Sequence, residues 1–208
     1  MVYITHSGEN AEKIGNILSV AQKRFGLYGL EKTTMKEIAA DLGMSKAALY
    51  YYFPDKEGLF KAVIEMEQDE FFKVVEQFKQ TITEPDEMLR EYIRIRFQYF
   101  KTLFNLSRLR IEEFNTIKPM LTDTLSIFRQ KEESIISEFI TAGNQQGIFH
   151  ADNPKENASL FMDIIKGLRM QYLHKKELFY IEPDEYDELE KKYAAFTDLF
   201  IKGLKYNN

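Results

Sequence analysis

Residues 33–59 read TTMKEIAADLGMSKAALYYYFPDKEGL, and the punctuation of this stretch decides the fold. Thr34 is placed to cap a helix N-terminus, and Glu37, three residues on, completes a capping box. Ile38, Ala39 and Leu42 then share one apolar face at helical spacing. Gly43 ends that helix, because a left-handed residue after a C-terminus costs glycine nothing. Ser45 caps a second helix whose inward face is Ala48, Leu49 and Phe53. Pro54 stops it, since proline disfavours helix at the residue before it and has no N–H to donate. Asp55 then caps a third, longer helix. Two short helices joined by a tight turn containing glycine form a helix-turn-helix unit.

The outer face of the second short helix carries Lys46, Ala47, Tyr50 and Tyr51, with Lys36 and Lys56 flanking. Lysine ammonium and tyrosine hydroxyl groups donate to phosphate oxygens. The helix N-terminus adds free N–H groups and partial positive charge, which also suit phosphate. Small residues in the first turn let the backbone approach another surface closely. A recognition helix in a major groove needs such a face. The same residues also describe an ordinary helical hairpin with two exposed tyrosines.

Taken together, Thr34, Ile38, Ala39, Gly43, Ser45, Leu49, Tyr50, Tyr51, Phe53, Lys56, Leu59 and Phe60 resemble the N-terminal signature of the TetR family of bacterial transcriptional regulators. The resemblance runs from Ile14 to Ile64; beyond it the chain is similar to the family only in length and helical pattern. It implies a homodimer, a double-stranded operator DNA and a small-molecule effector that releases the DNA. The expected DNA contacts are Thr34, Lys36, Ser45, Lys46, Tyr50, Tyr51 and Lys56, with Ala47 and Ala48 against base edges. Met35 departs from the pattern, standing where some relatives place a hydroxyl residue against the DNA. Ala47 and Ala48 donate nothing, so base readout rests on few side chains.

Composition agrees with a globular regulator. Apolar residues make up 44% of the 208 and charged residues 29%, which excludes a disordered chain. There is no cysteine, so disulfides and cysteine-based zinc sites are excluded and a reducing cytoplasm is the expected compartment. No stretch approaches the roughly 20 apolar residues of a membrane span. The opening MVYITHSGEN has no basic segment followed by an apolar run, so no signal peptide is read there. Residues 1–60 hold seven basic and seven acidic side chains, and residues 61–208 carry the whole net charge of −5. The neutral part bears the motif. Non-specific DNA binding should therefore be weak, because it comes mainly from phosphate neutralisation.

Apolar residues recur at spacings of three and four throughout, so the fold class is all-α. We read a DNA-binding domain over residues 1–55, and over 56–208 a connecting helix followed by an effector-binding and dimerisation domain. Prolines 54, 85, 119, 154 and 183 each read as a helix boundary. The first helix spans Asn10 to Leu27, ended by Gly26 and Gly29. The connecting helix runs from Asp55 to Ile82 with Leu59, Val63, Val74, Val75 and Phe78 inward. The next runs from Pro85 to Phe104, with Leu89, Tyr92, Ile93, Phe97, Phe100 and Leu103 inward. A short helix from Leu106 to Ile117 follows, carrying Leu109, Arg110, Glu113 and Phe114. Pro119 then begins a long helix to Gln146, with Glu132 on its apolar stripe. Asn153-Pro154-x-Glu156 opens a helix to Lys175, and the last runs from Asp184 to Leu204.

Two further sites follow from this pattern. Arg96 shares a helical face with Ile93, Phe100 and Leu103, and a buried cation needs a partner. That partner is either internal, Glu113 or Glu132, or a bound anionic ligand walled by aromatic residues that include Tyr92, Phe100, Phe114 and Phe128. The helix holding Phe161 and Ile165, with Tyr172 on the same stripe, is apolar on more than one side. So is the last helix, with Phe196 and Phe200. A broad apolar face needs two partners. Either both are found within the chain or these four residues form the dimer interface as part of a four-helix bundle, and the resemblance favours the dimer.

Signs of catalysis are sparse. His6, His150 and His174 lack a glutamate three residues before them, so no di-iron pattern is present. No phosphate-cradling glycine loop or Gly-x-Ser-x-Gly elbow occurs. Adjacent Glu112 and Glu113 point to different faces. The expectation is a regulator that needs no metal or cofactor, with an all-α enzyme, or a DNA-binding dimer controlled by a protein partner or not regulated at all, as rival readings.

Overall fold

Leu49 and Phe53, almost wholly shielded from solvent, anchor the second helix of the motif on a core supplied by its neighbours. In the computed structural model, residues 8–102, 111–173 and 183–206 are described, and among them the regular structure is helical. We number the helices α1 (Gly8–Lys32), α2 (Met35–Asp41), α3 (Lys46–Tyr52), α4 (Lys56–Lys79), α5 (Pro85–Thr102), α6 (Ile111–Gln145), α7 (Pro154–Leu173) and α8 (Pro183–Lys205). Leu103, Phe104, Leu106, Leu109, Arg110, His6, His174 and Lys175 lie outside the described residues, as do the side chains of Glu112, Glu113 and Tyr172.

Two apolar cores organise the helices. The first joins Ile17, Ala21 and Phe25 of α1, Ile38 and Ala39 of α2, Leu49 of α3, and Leu59, Phe60, Val63 and Ile64 of α4. Ile117 and Leu121 of α6 complete it from the far end of the chain. The second is built from the remainder of α4, from Phe71 to Phe78, together with α5, the body of α6, α7 and α8. α4 and α6 therefore run through both cores.

Several boundaries and faces differ from the sequence reading. α1 continues through Gly26, which is buried, and its helical path breaks only at Gly29, with φ 80° and ψ 164°. Pro119 does not begin a helix: it lies inside α6. Proline there removes one backbone hydrogen bond. The burial of Ile117 and Leu121 on either side of it holds the helix on course. Val74, expected inward, is exposed; Val75 is buried as expected, and Phe71 joins it in the core.

The expected dimer face also needs correction. Phe161 and Ile165 are fully buried within the single chain, because α7 packs between α6 and α8. The Phe161 ring lies 5.4 Å from that of Phe196 and 4.7 Å from that of Phe200, so these rings knit α7 to α8. Among the described residues, the large apolar side chains that α7 and α8 expose are Leu160, Ile164 and Leu199.

Candidate nucleic-acid interface

Local chemistry sets the helix-turn-helix geometry. The Thr34 backbone is extended, and its Oγ1 accepts the Glu37 N–H at 3.3 Å. Glu37 Oε2 accepts in return from the Thr34 N–H at 2.9 Å and from its hydroxyl at 2.8 Å. The capping box is complete. Gly43 has φ 64°, in the left-handed region, and lets the Met44 N–H turn back to the Ala39 carbonyl at 2.9 Å. Ser45 Oγ accepts the Ala48 N–H at 3.1 Å and starts α3.

An ion cluster fixes α2 on α1. Arg24 donates to both oxygens of Asp41, at 2.6 and 3.2 Å, and lies 3.4 Å from Glu37. The Asp41 carboxyl titrates below its usual range chiefly because of the Arg24 hydrogen bond. Glu37 titrates low chiefly because of its bonds to Thr34. A second tie joins the ends of α1 and α3: the Tyr52 hydroxyl donates to Asn10 Oδ1 at 3.4 Å, and the Lys13 ammonium stands 5.9 Å from the Tyr52 ring centre. Arg24, Asn10, Lys13 and Tyr52 did not stand out in the sequence. Their partners are too distant along the chain for any local spacing rule to mark them.

The outer face of α3 matches its reading. Lys46, Ala47, Tyr50 and Tyr51 are exposed, Tyr51 at 76%, and Ala48 is half-buried. The Lys46 ammonium lies 5.3 Å from the Tyr50 ring centre, drawn along the helix over the aromatic face. Lys36, in the first turn of α2, is exposed, as are Thr34 and Ser45. Lys56 behaves otherwise. Its ammonium donates to the Leu30 carbonyl at 2.9 Å and reaches the Glu31 carbonyl at 3.5 Å, closing the end of α1. These bonds also tie the start of α4 to the end of α1.

In the second core, Arg96 finds the internal partner. Its Nε donates to Glu132 Oε1 at 2.5 Å, and the Tyr92 hydroxyl donates to the same oxygen at 2.9 Å. Arg96 is 7% exposed and Glu132 3%, so the pair is buried. Burial opposes the Arg96 charge, and Glu132 together with Tyr193 and Tyr92 outweighs it, leaving the arginine pKa raised. Burial and then Glu132 push the Tyr92 hydroxyl well above its usual range. Two guanidinium groups lie over the Phe100 ring, that of Arg96 at 4.5 Å and that of Arg169 at 4.6 Å from its centre. Arg96 Nη1 is buried with no hydrogen-bond partner. Phe128 packs nearby, 6.3 Å from Phe100. Phe114, expected in the same wall, packs against the first core instead, because it precedes Ile117 on the part of α6 that joins the motif.

A separate cleft of about 430 Å³ opens where α1, α4 and α5 meet. Gln22, Glu67, Phe71 and Tyr99 line it, and the Gln22 amide donates to Glu67 Oε1 at 3.0 Å across the two helices. Among the described residues no group of three or more histidine, aspartate or glutamate side chains could hold a metal ion, and no helix is long and apolar enough to cross a membrane.

Residues 17–63 match the family model described as bacterial regulatory proteins, tetR family. The HTH-type transcriptional regulator RutR of Escherichia coli (strain K12) is 34% identical over 110 residues, 53% of this chain and 51% of that protein. The matched stretch thus spans about half the length of that relative. The HTH-type transcriptional regulator YvkB of Bacillus subtilis (strain 168) is 24% identical over 194 residues, 90% of this chain and 95% of its own. The crystal structure of a transcriptional regulator from Cytophaga hutchinsonii superposes with a TM-score of 0.85 at 39% identity, covering 93% of this chain and 99% of that one.

Proposed function

Because the chain belongs to the tetR family of bacterial regulatory proteins, we propose that it is a cytoplasmic repressor. On this reading two copies bind a palindromic operator and a small molecule releases them. The observation that carries this reading is the outer face of α3, where Lys46, Ala47, Tyr50 and Tyr51 stand together in solvent above the anchors Leu49 and Phe53. We place the DNA-reading part in residues 1–55, and the sensing and dimerising part in residues 56–208. Lys36, Ser45, Lys46, Tyr50 and Tyr51 hold phosphate, and Ala47 lies against base edges. No catalytic role is assigned.

The dimer forms through the outward faces of α7 and α8, where Leu160, Ile164 and Leu199 are exposed over the half-buried Phe196 and Phe200. A two-fold axis then presents two recognition helices to half-sites about one helical turn apart or somewhat more. The effector we propose is anionic and meets Arg96 Nη1, the buried donor left without a partner. It lowers DNA affinity by its differential affinity for the two arrangements of the dimer, and by no more. α4 and α6, which enter both cores, carry the change.

The direct test is selection of bound duplexes from a random-sequence pool by the full-length chain. An inverted repeat should emerge. Lys46→Ala should weaken binding on all sequences alike and make the salt dependence shallower by about one in log–log slope per half-site. Wild-type affinity and salt slope in Lys46→Ala would show that α3 does not face the phosphates.

A further inference from the structure

Given the DNA binding proposed above, we infer that Ala47 reads the 5-methyl group of a thymine in each operator half-site, within an apolar slot flanked by the rings of Tyr50 and Tyr51. Bases are usually distinguished in the major groove by bidentate hydrogen bonds from arginine, asparagine or glutamine. α3, KAALYYY, contains none of these. The Lys46 ammonium lies over the Tyr50 ring rather than extended past the first turn. Ser45 Oγ is engaged by the Ala48 N–H, and Ala48 itself is half-buried. Ala47 is what remains: within the first turn of α3 it is the exposed side chain with no polar atom.

Its surroundings favour an apolar feature. Ala47, Tyr50 and Tyr51 are spaced i, i+3 and i+4, so their side chains are neighbours on one helix face. Tyr50 is 39% exposed and Tyr51 76%, so both rings are open to solvent on the helix face that carries the alanine methyl. Residues near the N-terminus of a recognition helix are those that reach base edges. The thymine methyl is the one apolar group that the major groove displays. An aromatic-flanked methyl therefore matches thymine and offers nothing to the donors and acceptors of the other bases.

The test isolates that methyl. In duplexes enriched from the random pool, each thymine is replaced singly by deoxyuridine, which removes the 5-methyl and leaves pairing intact. One position per half-site should bind about fourfold more weakly, and both together ~15-fold, the size expected for burying one methyl group per half-site. Ala47→Gly should bind the thymine and deoxyuridine duplexes equally. The comparison is made within each protein, so any loss of folded variant cancels. Equal binding of both duplexes by the wild-type protein at every position overturns the inference and leaves sequence-specific binding standing. A thymine preference that survives in Ala47→Gly overturns it too, since another side chain then reads the methyl. A pool from which no sequence is enriched overturns the DNA-binding reading along with it.

Discussion

Arg96→Met tests the buried pair most severely. The substitution keeps the apolar stem and deletes the cation. Glu132, 3% exposed, keeps the hydrogen bond from the Tyr92 hydroxyl at 2.9 Å but loses its cation. Removing one partner of a buried ion pair costs about 3–5 kcal/mol. In a chain of this size each kcal/mol moves the melting temperature by about 2–4 °C, so the expected fall is ~6–20 °C. Replacing both partners with apolar groups is often close to neutral, so Arg96→Met with Glu132→Leu should recover much of the loss. The Tyr92 hydroxyl then lacks an acceptor, which holds back about 1–3 kcal/mol of the recovery.

Thermal unfolding followed by far-ultraviolet circular dichroism reads both the loss and its recovery. A melting temperature of Arg96→Met within ~2 °C of wild type, or a double variant no more stable than Arg96→Met, would refute the reasoning.

Other consequences are as direct. Tyr51→Ala, at a ring 76% exposed, should lose operator affinity with an unchanged melting temperature; an unaltered gel-shift titration would remove it from the interface. Leu199→Glu should yield a folded monomer by sedimentation, whereas Phe161→Ala should lower stability by about 3–5 kcal/mol before assembly is affected. A dimer that survives Leu199→Glu would move the interface elsewhere. Asp41 and Glu37 titrate low in the folded state, so their contribution is present above the unfolded carboxylate values and lost as pH falls through the folded ones. Asp41→Asn should flatten the drop in melting temperature below about pH 4, and an equally steep drop would assign the acid sensitivity to other groups.

The sequence was most legible where the chemistry is local. Thr34 with Glu37, Gly43, Ser45 and Asp55 each act through bonds to residues at most five positions away, so spacing alone marks them. Arg96 was legible in part: helical periodicity put it on the inward face, but Glu113 and Glu132 remained equal candidates until α6 was placed against α5. Pro119 misled because proline is a boundary signal only when tertiary burial does not override it. Phe161 and Ile165 misled for a related reason. Periodicity finds an apolar face but does not say whether a neighbour in the same chain or a second chain covers it.

The path of α6 constrains how such regulators can be recombined. Ile117 and Leu121 fill the core beneath the motif, and Leu59 to Ile64 of α4 complete it. A hybrid spliced after residue 55, giving this reader a foreign sensor, would strip both from beneath α2 and α3. Exchange of the helix-turn-helix would therefore have to carry the start of α4 and the Phe114–Leu125 segment of α6 with it, because the core beneath α2 and α3 is closed by both.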